Sequence, residues 1–210
     1  MIKYSTFSCV IAILVLLGCT KKGLNVIHYP QETHGYDLSH HNKNIKWDKL
    51  NGQFVYLKAT EGTWFKDPKF NEYKRKAHQH NLKVGAYHFM RPNKTGKQQF
   101  NYFRKVVGKN IDLIPVLDIE VGGLSNKNMQ EFITECEKYY GVKPMIYANR
   151  MYHLKHKSAV KGCKWWMAYY LPCLESDYAL WQYSDKKKIA GTTIDHNYIN
   201  PKYTITDFIL

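Results

Sequence analysis

The sequence predicts an α/β fold, namely a modified and incomplete (β/α)8 TIM-like barrel with helices missing in its second half. The chain has 210 residues, 44% of them hydrophobic, so it can bury one substantial core. Short β-rich segments alternate with longer segments of helical character, which is the pattern of a sheet with parallel strands. Eight β-rich segments can be counted, and no motif repeats at a fixed period that would favour a solenoid or a propeller.

A segment of different character precedes these elements. Lys3 is followed by an apolar run from Phe7 to Leu17, which has the length of a secretory signal core and is too short for a membrane span of ~20 residues. The run ends in LLGC at 16–19, which resembles a bacterial lipobox, where the cysteine is lipidated. We expect residues 1–19 to be a signal peptide with a lipobox and Cys19 to carry the lipid; an ordinary cleaved signal is the alternative.

Residues 20–34 are polar, contain Pro30 and show no period, so we expect a tether between the anchor and a domain at 35–210. Three further cysteines, Cys136, Cys163 and Cys173, have no paired C-x-x-C spacing and predict no zinc site. A disulfide between Cys163 and Cys173 and three buried thiols are both open interpretations.

The domain can be divided in chain order. The β-rich segments are Gly35–Ser39, Phe54–Glu61, Lys83–Phe89, Ile114–Glu120, Lys143–Asn149, Trp165–Tyr170, Ala179–Ser184 and Thr193–Tyr198. Helices are predicted at Lys69–Asn81, Thr95–Val107 and Asn126–Tyr140. Little more than one or two helical turns fit between the last four β-rich segments, so we expect the second half of the barrel to lack helices.

The active site of a barrel of this kind lies at the carboxyl ends of its strands. Acidic, aromatic and amide side chains occur at or just after the predicted strand ends: Asp37, Glu61, His88, Asp118, Glu120, Tyr147, Asn149, Tyr169, Trp181, Gln182, Tyr183 and Asp195. The sequence therefore predicts one site on one rim.

The sharpest local feature is PVLDIE at 115–120, an apolar strand that ends in two carboxylates. Side chains alternate along a strand, so Asp118 and Glu120 are expected on the same side, roughly 6 to 7 Å apart. Two close carboxylates resist simultaneous ionisation, which raises one pKa toward the value that a general acid needs. Glu120 is the better acid because it lies nearer the rim and has the longer reach. A metal-bound or salt-bridged pair is the alternative; no phosphate-binding loop accompanies it, and we predict no metal and no cofactor.

Six motifs, in order along the chain, extend this pattern. They are GYDLSHHN at 35–42, LKATEG at 57–62 followed by Phe65 and Asp67, GAYHF at 85–89, the strand with Asp118 and Glu120, WQYS at 181–184 and IDHN at 194–197. In these motifs the chain resembles the glycoside hydrolase family 25 lysozymes, over about Gly35 to Leu210. Lys43 is a local departure, because the family more often has a small residue or proline there.

The resemblance implies a modified (β/α)8 barrel that hydrolyses the β-1,4 bond between N-acetylmuramic acid and N-acetylglucosamine in peptidoglycan. It also implies that Glu120 is the general acid and that Asp118, Asp37 and Asp195 are the other acidic members of the site. We expect Asp118 to assist the substrate acetamido group. Substrate binding is expected from Tyr87, Tyr147, Tyr169, Trp181, Tyr183 and Glu61, whereas Trp47, Trp64 and Trp165 are expected to be packing residues.

The positive net charge of the chain is consistent with the peptidoglycan hydrolase that the resemblance implies. Lysine and arginine exceed the acidic residues by 14, a surplus that attracts anionic wall polymers, nucleic acid or membranes alike. The lysines at 186–188 are not interleaved with aromatics, so we expect no nucleic-acid partner. We expect a monomeric, exported lipoprotein of the bacterial cell envelope, at the periplasm or cell surface, with membrane contact only through its lipid. A non-catalytic glycan-binding lipoprotein and a chitinase-like acetamido-glycan hydrolase remain alternatives.

Overall fold

The computed structural model describes residues 33–170, 177–189 and 191–210. The predicted signal peptide, Cys19, residues 20–32 of the tether and Cys173 lie outside the described residues. The strands are β1 (His34–Leu38), β2 (Phe54–Glu61), β3 (Phe65–Lys66), β4 (Lys83–Phe89), β5 (Val116–Asp118), β6 (Met145–Asn149), β7 (Trp165–Ala168), β8 (Leu180–Ser184), β9 (Lys188–Ile189), β10 (Thr192–Thr193) and β11 (Asp195–Ile199). The helices are α1 (Phe70–Gln79), α2 (Gly96–Val107), α3 (Asn126–Tyr140) and α4 (Arg150–His156), with 3-10 turns at Trp47–Lys49 and Ile205–Phe208.

Eight of these strands close into a barrel in the order β1-β11-β8-β7-β6-β5-β4-β2, and β1 pairs with β2 to complete the ring. The two residues of β3 pair with the end of β2, and β9 and β10 form a separate hairpin. The three predicted helices are present, and the short α4 lies between β6 and β7. In the described part of the chain no α-helix follows α4, as the sequence predicts for the second half of the barrel.

The last barrel strand differs from the expected parallel arrangement. β11 runs antiparallel to both of its neighbours, β1 and β8, whereas the other seven barrel strands are parallel to one another. The reason is the length of the connection, because only ten residues, 185–194, separate β8 from β11 and a parallel crossover needs a dozen or more. As a consequence, the beginning of β11, not its end, lies at the rim where the other strands end.

Strand alternation divides the core into two layers. One apolar cluster fills the barrel interior and contains Phe54, Tyr56, Val116, Met145 and Trp166, among others. A larger cluster lies between the sheet and the helices. Gly85 belongs to the interior, where the ring of Tyr56 occupies the space that a Cβ would need, so only glycine fits beside this tyrosine.

Local capping fixes where two of the helices begin. The Thr95 hydroxyl accepts from the backbone N–H of Gln98, and the Gln98 side chain accepts from the backbone N–H of Thr95, which is a capping box at the start of α2. At α3 the Ser125 hydroxyl accepts from the backbone N–H of Asn128, without a reciprocal bond, and the helix is followed by Gly141 in the left-handed conformation. None of the helices in the described ranges is long and apolar enough to cross a lipid bilayer.

Candidate active site

A cleft with an empty volume of about 380 Å³ opens at the rim where the parallel strands end. Its lining residues are Asp37, Tyr87, Asp118, Glu120, Tyr147, Trp166, Gln182 and Asp195. All four acids expected from the sequence therefore share one cleft, together with two of the expected aromatic residues. Asp195 lies there because it begins the antiparallel strand β11 and pairs in register with Asp37 of β1.

Asp118 and Glu120 both open into this cleft but differ in exposure. Asp118 ends β5 and is only 4% exposed, and its Oδ1 has no hydrogen-bond partner. Burial, reinforced by the charge of Glu120, raises the pKa of Asp118 well above its usual range. Burial also raises the pKa of Glu120, and the charge of Asp37 adds to this effect. The expected adjacent charge of Asp118 is therefore not the main reason for the raised pKa of Glu120.

Asp37 and Asp195 form a second carboxyl pair. Oδ2 of Asp37 accepts hydrogen bonds from Nε2 of Gln182 at 2.9 Å and from Nδ2 of Asn197 at 2.8 Å. Burial raises the pKa of Asp195 to about 8, and the nearby charge of Asp37 contributes to the rise. The interaction between the two carboxyl groups lowers the pKa of Asp37 and raises that of Asp195, so a proton shared by the pair favours Asp195.

Neutral side chains hold this acidic pair in place. Oε1 of Gln182 accepts from the hydroxyl of Tyr147 at 2.9 Å and from that of Tyr170 at 2.7 Å. Nε1 of Trp166 donates to Oδ1 of Asn197 at 2.7 Å, which turns the amide N–H of Asn197 toward Asp37. Each amide thus accepts on one side and donates to Asp37 on the other, an arrangement that fixes the orientation of Asp37.

The family model for glycosyl hydrolases family 25 matches residues 36–192. The chain belongs to glycosyl hydrolase family 25. It is a glycoside hydrolase of the lysozyme type, which confirms the predicted family, barrel and enzyme class.

Relatives of this family 25 hydrolase include proteins with and without an assigned activity. The uncharacterized protein YegX of Escherichia coli O157:H7 is 32% identical over 197 residues, covering 83% of this chain and 72% of YegX. Lysozyme M1 of Streptomyces globisporus is 30% identical over 197 residues, covering 79% of this chain and 67% of its own length. The structure of a family 25 glycosyl hydrolase from Bacillus anthracis has a TM-score of 0.74 and 29% identity, and covers 82% of this chain and 91% of that one.

Three aromatic residues expected at the cleft of the family 25 hydrolase lie elsewhere. Trp181 is buried and donates from Nε1 to the backbone oxygen of Tyr169 at 2.6 Å, and Tyr183 stacks on Tyr198 with 4.5 Å between ring centroids. Strand alternation explains the error, because Trp181 and Tyr183 occupy the face of β8 opposite to Gln182. Tyr169 packs against the cluster that contains Trp181. None of the three lines the cleft with the four acids, and their contact with substrate stays a prediction.

Glu61 also lies outside the cleft and instead joins two cations. Its carboxylate accepts from Nζ of Lys58 at 2.7 Å and from Nε and Nη2 of Arg91 at 2.8 and 2.6 Å. The side chain of Lys58 is nearly buried, and its charge lowers the pKa of both Asp118 and Glu120 against the effect of burial. The structure therefore makes Glu61 the support of a buried lysine, an effect that the sequence analysis missed.

His88 and Asn149 have structural partners away from the cleft. His88 is fully buried behind the barrel wall, where Nδ1 lies 2.7 Å from the Thr60 hydroxyl and Nε2 lies 3.1 Å from Oε1 of Gln99. Asn149 caps the start of α4. Within the described ranges no group of three or more histidine, cysteine or acidic side chains is arranged to hold a metal ion.

Trp166, Asn197 and Tyr170 build the site although they are not among the residues predicted for it. Gln182 is among the residues predicted on the rim but has no predicted role, and Asn197 stands within a quoted motif, where an amide at a strand end is too common to indicate a site. The alternation of side chains along each strand is the signal that could have identified these amides. Asn197 is two residues from Asp195 and Gln182 is flanked by Trp181 and Tyr183, so one face of each strand had to carry these amides.

Proposed function

We propose that this family 25 hydrolase is a muramidase that cleaves the β-1,4 bond between N-acetylmuramic acid and N-acetylglucosamine in peptidoglycan. The observation that carries the proposal is that Asp118 and Glu120 open into one cleft in which burial raises the pKa of both. Similarity to a protein named lysozyme M1 supports the same substrate class. Hydrolysis by carboxyl groups and water needs no metal, and we propose no cofactor.

Glu120 is the proposed general acid. Burial raises the pKa of Glu120 above that of an ordinary glutamate, which favours the protonated form that a general acid needs. It is also more exposed than Asp118, so its proton can reach the oxygen of a glycosidic bond. In the first step this proton passes to the leaving oxygen as the bond to the anomeric carbon breaks.

Asp118 is the proposed partner of the substrate acetamido group. Its buried Oδ1 has no hydrogen-bond partner in the protein, so it can accept from the acetamido N–H of a bound sugar. Protonation of Glu120 removes one of the charges that raise the pKa of Asp118, and the charge of Lys58 lowers that pKa, so Asp118 is the ionised partner in this proposal. The acetamido oxygen then attacks the anomeric carbon, and the Asp118 carboxylate stabilises the positive charge that develops on the group. In the second step water attacks the same carbon, the Glu120 carboxylate takes the proton from that water, and the acetamido oxygen is released.

The other acids and rings act through position and charge in this proposal. Asp37 is held by two amide donors and faces Glu120 with a charge that helps to keep it protonated. Asp195 supplies the proton that Asp37 shares. Tyr87 and Tyr147 line the cleft, where aromatic rings offer flat apolar surfaces and polar hydroxyls to a sugar.

Product analysis tests the bond that is cleaved. Purified peptidoglycan is digested, the products are reduced, and the reduced terminal sugar is identified by mass spectrometry. Reduced muramic acid is expected from the wild type, and Glu120→Gln should lower the rate by roughly 10² to 10⁴, the usual contribution of a general acid. Reduced glucosamine as the terminal sugar would contradict the proposed bond specificity.

The anomeric configuration of the first product tests the role of Asp118. Attack by the acetamido oxygen followed by water gives two inversions, so the newly formed reducing end is expected to be β in proton resonance spectra recorded before mutarotation. An α product would refute the substrate-assisted route while leaving the muramidase assignment intact.

We also propose that the protein is exported and anchored by a lipid on Cys19, with residues 35–210 as a monomeric catalytic domain. The LLGC sequence at 16–19 and the surplus of 14 positive charges support attachment near an anionic cell wall. Growth of expressing cells with an alkyne fatty acid should label the full chain, and Cys19→Ala should abolish the label. Equal labelling of both chains would contradict the anchor.

A further inference from the structure

An exposed tryptophan stands on the active-site rim, outside the cleft. Trp64 lies in the turn between β2 and β3 and is 54% exposed. Its indole packs over Gly62, where an added Cβ would collide with the ring and where φ is +54°. One side of the indole is therefore supported by backbone, while more than half of the residue remains open to solvent.

The turn that carries Trp64 is held in place. Its backbone oxygen accepts from the hydroxyl of Tyr102 in α2 at 3.2 Å. β2 and β3 pair on either side of the turn, through Thr60 with Lys66 and Glu61 with Phe65. A surface that is already ordered loses little conformational entropy when a ligand binds, so this exposed ring is preorganised for contact.

A shallow groove lined by polar residue types adjoins the tryptophan. It has an empty volume of about 660 Å³ and is lined by Thr63, Lys94, Gln98, Asn101, Tyr102 and Lys105. Hydroxyl, amide and ammonium groups are suitable partners for sugar hydroxyl and acetamido groups. We call Trp64 together with these six residues the Trp64 shelf.

The order of the barrel strands shows where the Trp64 shelf lies relative to the cleft. β2 lies between β1 and β4 in the barrel, and these two neighbours carry the cleft residues Asp37 and Tyr87. The Trp64 turn follows the rim end of β2, and Lys94 and Gln98 lie at the rim end of α2. Trp64, Lys94 and Gln98 therefore lie on the same rim as the cleft, and the groove extends from there along α2 to Lys105. The shelf and the cleft share no lining residue.

We propose that the Trp64 shelf binds a sugar residue of the glycan strand away from the bond that is cleaved, an inference that rests on the proposed glycan hydrolysis. The C–H face of a pyranose ring carries partial positive charge and stacks on the negative face of an indole, which also removes apolar surface from water. The groove supplies hydrogen bonds around the edge of the same sugar. A strand that spans both places is held more tightly than a short oligosaccharide that fills only the cleft.

Substrate length provides the test. For the wild type, kcat/KM is measured on long soluble glycan strands and on a tetrasaccharide, and the ratio of the two values is taken. Trp64→Ala should lower this ratio about threefold to tenfold, the range expected for one aromatic contact, through KM on long strands. Trp64→Phe should retain most of the ratio. Leu154→Ala removes a side chain that is 55% exposed on α4 and should leave the ratio at its wild-type value.

Binding without turnover separates this inference from the proposed function. In a Glu120→Gln background, Trp64→Ala should raise Kd for insoluble peptidoglycan by the same threefold to tenfold. An unchanged Kd, or an equal loss of kcat/KM on both substrate lengths, would overturn the Trp64 shelf. Failure of the wild type to hydrolyse any glycan would overturn the proposed function, and the Kd comparison would still decide the shelf.

Discussion

The raised pKa of Asp195 leads to a prediction about protein stability that can be tested without substrate. This half-buried carboxyl donates to Asp37, and its pKa is raised from the ordinary 3.8 to about 8. In the variant Asp195→Asn the amide N–H can donate the same hydrogen bond without a titrating proton. We therefore expect the variant to fold with the Asp37 contact retained and to be more stable than the wild type at neutral pH.

The size of the expected pH-dependent change in stability follows from proton linkage. Because the folded protein holds this proton more tightly than the unfolded chain, the stabilisation is complete below pH 3.8 and is lost as pH rises toward 8. Each pH unit within that window costs the wild type at most ~1.4 kcal/mol for this one group. Between pH 5 and 7 the loss amounts to ~3 kcal/mol, an upper value because partial solvent access screens the group.

Urea unfolding of both proteins at pH 5, 6, 7 and 8 measures the effect. The free energy of unfolding of Asp195→Asn minus that of the wild type should increase steadily over this range. Asp37 and Glu120 interact with Asp195, so the difference reports the titration of Asp195 together with the change that its removal causes in their pKa values. A difference that stays constant from pH 5 to 8 would show that Asp195 is ionised throughout and would refute the shared proton.

Three further variants test the network around the cleft. Lys58→Met removes the cation that lowers the pKa of both Asp118 and Glu120, so the pH profile of kcat/KM should move upward by about one pH unit; an unmoved profile would contradict this electrostatic role. Trp166→Phe leaves an oxygen of Asn197 without its donor and should cost ~1 to 3 kcal/mol in urea unfolding, together with a lower kcat. Thr60→Val should cost a similar amount by removing the hydroxyl partner of buried His88, yet leave KM unchanged; a raised KM would place this pair in the site.

Much of the fold could be predicted because its signals are local. The strands β2 and β4 and the helix α3 have the predicted boundaries, since apolar runs and end signals mark them in the sequence. The direction of β11 could not be predicted from its own residues. It depends on the short hairpin before it, and reading that hairpin requires knowing that no helix fits there.

The candidate site likewise contains residues that could be predicted from local patterns and residues that could not. Asp118 and Glu120 could be placed together because side chains two apart on one strand share a face. Trp181 and Tyr183 were misplaced because their residue type suggested sugar binding, although alternation with Gln182 assigns them to the outer face. Lys58 was missed because the acids that it influences lie on and after β5 and come close to it only through the barrel, although its partner Glu61 is local.

The most direct test of the account is whether Glu120 gives its proton to the leaving oxygen. Rates of wild type and Glu120→Gln are compared on natural glycan strands and on an aryl glycoside whose phenol departs without protonation. We predict a loss of roughly 10² to 10⁴ on natural strands and a loss at least tenfold smaller in release of the phenol. Equal losses on the two substrates would contradict the assignment of Glu120 as the general acid.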